Sequence, residues 1–126
     1  MYESKENLLS SREKMAVVLY FAAKNNGGCV PNDAEYIHCL FYEMKKSHPG
    51  LFEDINFGDY KGSFPWSCEV DGSIQSLISD GCIEYDERCY YPTEKLEEVV
   101  EKARKKDEEL IKEIEKAVNS YISQSL

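Results

Sequence analysis

Apolar side chains recur at helical spacing in three stretches of the first two thirds of the chain, and a capping residue precedes each stretch. Ser10 pairs with Glu13 in a capping box, in which each side chain satisfies a free backbone N–H of the first helical turn. A second capping box is expected at Asn32, and Ser67 is expected to cap the third helix. The apolar faces of the three helices are Met15, Val18, Leu19 and Ala22; Ile37, Leu40, Phe41 and Met44; and Val70, Ile74 and Leu77.

Two short β-prone segments, CIEY and RCYY, follow the third predicted helix. Gly81 ends that helix, since glycine adopts the left-handed conformation that a helix C-terminus favours. An Asp-Glu pair separates the two segments, and this spacing predicts a β-hairpin at about residues 82–91. Residues 51–66 lack helical periodicity and contain five aromatic side chains, so we expect a loop there with one short strand at Ile55–Phe57.

Together these elements predict a mainly α-helical fold with a small β-hairpin. We expect a flexible N-terminus at residues 1–9, a winged helix-turn-helix-like domain at 10–92 and one long helix at 93–126, which Thr93 caps. From Thr93 to about Ser123, at 1.5 Å per residue, that helix would be about 45 Å long, whereas a domain of this size is about 30 Å across. Its far half would therefore project, and its apolar stripe is expected to form a homodimer interface made of Leu110, Ile111, Ile114, Ala117, Val118, Tyr121 and Ile122.

The composition fits a single globular domain. The chain has 126 residues, of which 42% are hydrophobic and 31% are charged. No apolar run approaches the roughly 20 residues that a membrane-spanning helix needs, so no membrane association is expected. The first residues are charged and lack the apolar segment of a secretory signal, which favours a cytoplasmic protein.

The negative charge is concentrated in the middle of the chain. The formal net charge is −9, and residues 51–93 contribute nine carboxylates against two basic side chains. The predicted third helix and hairpin lie in this segment. Because phosphate neutralisation by Lys and Arg supplies most non-specific affinity for DNA, an acidic surface at this position disfavours DNA binding.

The sequence contains no recognisable catalytic or metal-binding motif. Its five cysteines include no paired C-x-x-C spacing, so neither a zinc site nor any other metal or cofactor is expected. His38 and Cys39 are neighbours, but adjacent side chains on a helix point about 100° apart. We therefore expect a protein that is not an enzyme. Cys82 and Cys89 lie on one face of the predicted hairpin and are the candidate pair for a disulfide.

The segment PWSCEVDGSIQSLISDGCI resembles a Pro-aromatic-Ser element followed by apolar positions and Gly-x-Ile. The segments LYFAAKNNGG, YIHCLFYEM and INFGDYKGSFPWS precede it in a similar order and spacing. Over roughly residues 12–95 the chain is similar to the Panacea-like family of small phage-associated and antitoxin proteins, and more loosely to MarR- and PadR-type winged helices. Phe64 and Pro92 depart from the family pattern. The resemblance implies a winged-helix-like core and, for some members, a toxin-neutralising or adaptor role, and it implies no catalytic residue.

These observations favour a regulatory or adaptor protein, antitoxin- or inhibitor-like, that binds a basic protein partner. The acidic face expected to bind it consists of Glu69, Asp71, Glu84, Tyr85, Asp86 and Glu87. The alternative is a DNA-binding transcriptional regulator of the winged-helix type. Its DNA contacts would come from Lys45, Lys46, Lys61 and Arg88.

Overall fold

A computed structural model describes residues 9–60 and 64–124 of the chain. Most of this part is helical, and its strands are two to four residues long. No helix within it is long and apolar enough to cross a membrane. The elements in chain order are α1 (Ser11–Lys24), β1 (Val30–Pro31), α2 (Ala34–Ser47), β2 (Gly58–Tyr60), β3 (Phe64–Trp66), α3 (Cys68–Ser79), β4 (Ile83–Tyr85), β5 (Cys89–Pro92), α4 (Glu94–Lys106) and α5 (Glu108–Gln124).

Side-chain caps define the starts of the helices. Ser10, Ser67 and Thr93 each accept a hydrogen bond from a backbone N–H in the first turn of the helix that follows, so these three predicted starts are confirmed. The predicted cap at Asn32 is wrong, because Asp33 caps α2 and accepts from the N–H of its third residue. The side chain of Asn32 is instead hydrogen-bonded to the turn between β4 and β5.

Two small antiparallel sheets accompany the helices. The first has the strand order β1-β5-β4, with Tyr90 of β5 opposite Val30 on one side and Tyr85 on the other. The predicted β-hairpin is confirmed as β4–β5, which we call the hairpin. The strand expected at Ile55–Phe57 is wrong, since the second sheet pairs β2 with β3. Ile55 is instead fully buried in the loop that precedes β2.

Helix α1 is the centre of the fold. Its apolar residues continue around the whole helix, and α3, α4 and α5 all pack against it. The first sheet also contacts α1, through β1 and β5. The apolar α1 side chains that are buried in this way are Met15, Ala16, Val17, Val18, Leu19, Phe21, Ala22 and Ala23.

The single long C-terminal helix predicted for residues 93–126 is wrong, because the chain breaks at Asp107. This residue leaves the helical conformation, with φ −159° and ψ 83°. Its N–H donates to the carbonyl oxygen of Ala103 at the end of α4, and its carboxylate accepts from Leu110 N at 3.1 Å at the start of α5. The break turns α5 back along α1 and α2.

Because the break at Asp107 turns α5 back, the residues predicted to form a dimer interface are instead buried or partly buried within the chain. Within the chain, the apolar stripe of α5 covers α1, and five of its members are at most 6% exposed: Leu110, Ile111, Ile114, Ala117 and Val118. The other two, Tyr121 and Ile122, are partly buried against the same core. Residues 93–124 thus share one core with residues 10–92. Of the predicted flexible terminus, residues 1–8 lie outside the described part, and Leu9 is buried.

Replacement of Ile114 tests this packing. Ile114→Ala should lower the free energy of unfolding by about 2–5 kcal/mol, because it removes a fully buried side chain between α5 and the core. The exposed Lys112→Ala on the same helix should change it by less than about 0.5 kcal/mol. Urea denaturation at several protein concentrations measures both effects. A midpoint that rises with protein concentration would contradict burial within one chain.

Candidate functional site

A groove of about 370 Å³ lies between α3 and the hairpin. We call it the α3–hairpin groove. Helix α3 and the hairpin supply its two walls, and the corner between β1 and α2 closes one end. Its lining residues are Asn32, Gln75, Ile78, Tyr85, Asp86 and Tyr90.

Tyr85 is the most exposed large hydrophobic side chain in the described part of the chain. Its exposed fraction is 62%, although it follows the buried Ile83 by two positions in β4. Side chains two positions apart share one face of a strand, so Tyr85 continues the core-facing side of β4 beyond the core. Tyr90, directly opposite it in β5, is partly buried and packs on the core. The groove thus combines one exposed and one half-buried tyrosine.

The carboxylate of Asp86 holds the turn of the hairpin together. It accepts hydrogen bonds from the backbone N–H groups of Arg88 at 2.8 Å and Cys89 at 2.9 Å, and from the Tyr91 hydroxyl at 2.8 Å. The two backbone hydrogen bonds are the main cause of a lowered pKa for Asp86, because they stabilise the charged carboxylate. The same contact raises the pKa of Tyr91 to about 12, since the phenol is the donor.

The turn is also fixed from the side of β1. The backbone N–H of Asn32 donates to the carbonyl of Arg88 at 2.9 Å, and its side-chain amide donates to the carbonyl of Asp86 at 2.8 Å. These bonds bind the tip of the hairpin to the corner before α2. Three sets of hydrogen bonds therefore hold the hairpin wall of the groove. They lie within its turn, between β1 and β5, and between β4 and β5.

The exposed face of α3 carries no cation. Asp71, Gln75 and Ile78 follow the i, i+4, i+7 spacing that places them on one face, beside the buried stripe of the helix. Asp71 lies near Tyr90, whose pKa is raised first by burial and then by the Asp71 charge. Asn32, Gln75 and Ile78 were missed as site residues, although this spacing beside the buried stripe could have identified the two in α3.

The structure separates the predicted acidic face into several places. Tyr85 and Asp86 line the α3–hairpin groove, and Asp71 lies beside it, near Tyr90. Glu84 sits opposite Tyr91 in the hairpin, on the other face from Tyr85, because successive strand residues alternate. Glu87 is exposed at the hairpin tip.

Glu69 belongs to another part of the molecule. Its carboxylate accepts from Asn56 N at 3.0 Å and from the hydroxyl of Ser67 at 3.1 Å, so it attaches the loop before β2 to the start of α3. The hydrogen bond from Asn56 is the largest cause of its lowered pKa. Its expected role in partner binding stays a prediction.

The predicted DNA contacts are also dispersed. The ammonium of Lys45 donates to the carbonyl oxygen of Ile55, in the loop before β2. Lys46 forms an ion pair with Glu43 at 3.7 Å. Arg88 is exposed at the hairpin turn, and Lys61 lies outside the described residues. In the described part, these side chains do not form a continuous basic strip beside α3.

His38 supports the start of α3. It is 3% exposed, stacks on Trp66 with ring centroids 4.0 Å apart and accepts from the backbone N–H of Ser67 through Nδ1 at 3.0 Å. Burial lowers its pKa, with the charge of Asp71 opposing that shift, so the neutral ring is favoured. The imidazole is therefore occupied as an acceptor and a stacking partner.

A second cavity of about 370 Å³ opens beside α5. Its wall includes Lys14, which is 1% exposed and pairs with Asp54 at 3.3 Å. Because Asp54 neutralises the buried ammonium, the cavity offers no unbalanced cation to a ligand. Within the described residues, no group of three or more His, Cys, Asp or Glu side chains could hold a metal ion.

Comparisons of the chain with protein-family models, with curated proteins and with solved structures gave no match. The resemblance to the Panacea-like family stays a prediction that rests on the sequence segments given above.

The bond between Tyr91 and Asp86 can be tested by titration. We expect Tyr91 to ionise near pH 12, above an ordinary tyrosine, because the Asp86 carboxylate favours the protonated phenol. Asp86→Asn keeps an oxygen acceptor but removes the charge, so the pKa of Tyr91 should fall towards the usual value of about 10. Carbon-13 NMR of labelled tyrosine rings measures this, with Tyr91→Phe to assign the resonance. An unchanged pKa in Asp86→Asn would contradict the assigned contact.

Proposed function

We propose that the chain is a winged-helix-like regulatory or adaptor protein that binds a basic protein partner at the α3–hairpin groove. The order α1-β1-α2-α3-β4-β5, with the β2–β3 pair inserted between α2 and α3, supports the winged-helix part of this proposal, because α3 then takes the place of a recognition helix and the hairpin that of a wing. The sheet order β1-β5-β4 supports it further, since β1 attaches the wing to the helices.

The observation that carries the protein-binding proposal is the exposure of Tyr85 beside the groove. Aromatic side chains that stand next to a partly apolar recess are frequent anchors in protein interfaces, where they bury much area at little entropic cost. Ile78 and Tyr90 give the recess an apolar floor, while Asn32 and Gln75 offer amide groups at its edge. A partner side chain that enters the groove would contact both kinds of group.

The charge around the groove supports a basic partner. Asp71 of α3 is close to Tyr90, and Asp86 and the exposed Glu87 stand at the turn of the hairpin. Asp86 is charged at neutral pH as ordinary aspartates are, and its lowered pKa extends that charge to more acidic pH. Complementary charge raises the association rate and excludes partners of the same sign.

The same charges weigh against a nucleic acid. Helix α3 contains no Lys or Arg. Arg12 reaches α3 from α1, but its guanidinium donates to Ser76 at 2.9 Å and pairs with Asp80, so its charge is matched within the chain. An antitoxin- or inhibitor-like role, as the resemblance to the Panacea-like family implies, is the form of protein binding that we propose.

Truncation of the anchor tests the proposal. Tyr85→Ala should weaken partner binding at least about tenfold, because interface tyrosines in such positions contribute about 1.4 kcal/mol or more. Affinity purification of the tagged chain from its source cells, with quantitative mass spectrometry, identifies the partner, and calorimetry then measures Kd. Circular dichroism and the unfolding midpoint serve as folding controls. An unchanged Kd would contradict the groove as the binding site.

A matched pair of charge reversals locates the surface more finely. Asp71→Lys and Glu84→Lys change the net charge equally, but Asp71 borders the groove and Glu84 lies on the opposite face of the hairpin. Only Asp71→Lys should weaken the binding of a basic partner strongly, since short-range repulsion outweighs the screened long-range field. Equal losses for both variants would indicate steering by net charge instead of docking in the groove.

Selection from random duplexes addresses the alternative function. At low ionic strength we expect no enriched site, because the exposed face of α3 offers no cation to phosphates. An enriched sequence whose binding is lost in Lys46→Ala and Arg88→Ala would contradict the proposal and support a DNA-binding regulator. Tyr85→Ala is the matched control in that case, since it leaves these cations in place.

A further inference from the structure

Two thiols from distant parts of the chain lie against each other beneath the hairpin. The sulfur atoms of Cys29 and Cys89 are 3.0 Å apart, with the Cys29 thiol donating to Cys89. The pairing of β1 with β5 brings them together, since Pro31 lies opposite Cys89 and Val30 lies opposite Tyr90. The contact with Cys89 is also the largest cause of a raised pKa for the Cys29 thiol.

The sequence named Cys82 as the candidate disulfide partner of Cys89, whereas the structure places Cys29 against Cys89. Cys82 is buried, 3% exposed, at the junction of α3 and β4, whereas Cys29 and Cys89 are both half-buried. A disulfide S–S bond is about 2.05 Å long, so the two sulfurs need to approach by only about 1 Å. Side-chain rotation can supply that movement without a change in strand pairing.

We propose that Cys29 and Cys89 form a reversible disulfide by exchange with small-molecule disulfides, such as the oxidised form of a low-molecular-weight thiol. The inference does not depend on the proposed function. It assigns a covalent modification site to the pair of strands that supports the α3–hairpin groove.

The exchange proceeds in two balanced steps. One protein thiolate attacks a sulfur of the small disulfide, forms a mixed disulfide and releases the first small thiolate. The second protein thiolate then attacks the protein sulfur of the mixed disulfide, which forms the Cys29–Cys89 bond and releases the second small thiolate. The two protons lost by the protein thiols end on the two released thiolates. The protein pair is oxidised by two electrons, and the small disulfide is reduced to two thiols.

The bond would join β1 to β5 across a loop that includes α2, α3 and β4. Cross-linking residues so far apart in sequence restricts the unfolded chain, which raises stability when the native geometry already fits. It would also fix the strand pair beside which Asn32 donates its two hydrogen bonds to the hairpin turn. Oxidation should therefore stabilise the wall of the groove without moving it.

In the test, the folded chain is incubated with oxidised glutathione at pH 8 and analysed by intact mass and non-reducing peptide mapping. The expected result is a linked peptide pair that contains Cys29 and Cys89, with loss of two hydrogens from the chain. The melting temperature should rise by about 10 °C and return when a reductant is added. The exposed Cys68 can take up glutathione, so Cys68→Ser is the matched control that keeps the pair and simplifies the mass.

The single variants Cys29→Ser and Cys89→Ser should abolish the link and the temperature shift, while reduced samples of both keep the helical circular dichroism of the native chain. A native chain that forms only mixed disulfides under these conditions would overturn the proposal. So would a link from Cys82 to Cys89, or a Cys29–Cys89 link that forms only after denaturation in urea.

Discussion

The fold depends on the need to cover α1 on every side. A helix that is apolar around its whole circumference is stable in water only when other elements surround it. Helices α3, α4 and α5 and the strands β1 and β5 provide that cover. Even the charged Lys14 is enclosed, and its ammonium is balanced by Asp54, which also accepts from the hydroxyl of Ser11. The positions of α3 and the hairpin, and so of the groove between them, follow from this packing.

The sequence of α1 indicates more about how this helix is covered than its predicted apolar stripe does. The stripe through Met15 and Ala22 was identified, but the run AVVLYFAA is apolar at nearly every position, which is typical of a helix without a solvent face. Such a helix requires a further covering element, and the stripe of α5 has the length to supply it. The break at Asp107 was also readable, since two lysines end α4 and an aspartate followed by two glutamates begins α5.

Other features could not be deduced from local sequence. The caps at Ser10, Ser67 and Thr93 and the hairpin were predicted because their hydrogen bonds join residues a few positions apart. Strand β1 has two residues, one of them proline, and its pairing with β5 is a long-range contact that no periodicity reveals. Because this pairing could not be inferred, Cys82 was the candidate disulfide partner that the sequence offered for Cys89. The roles of Glu69 and Asp86 were missed for a related reason, since composition shows a carboxylate but not the backbone N–H groups that it accepts from.

The internal use of these carboxylates changes how an acidic face can work. The Asp86 carboxylate accepts hydrogen bonds from the turn and from Tyr91, yet it remains charged. Its negative charge would therefore attract a basic partner without any of these hydrogen bonds being broken. The lining groups without such a role in the turn are the ring of Tyr85 and the amide of Gln75, whereas the Asn32 amide already donates to the Asp86 carbonyl. In the proposed mode of binding, charge at the rim would attract and select a basic partner, while the ring of Tyr85 and the uncharged lining of the recess would hold it. Such a division would permit binding at the groove without burial of an unpaired carboxylate, which is the costly step in bringing together two charged surfaces.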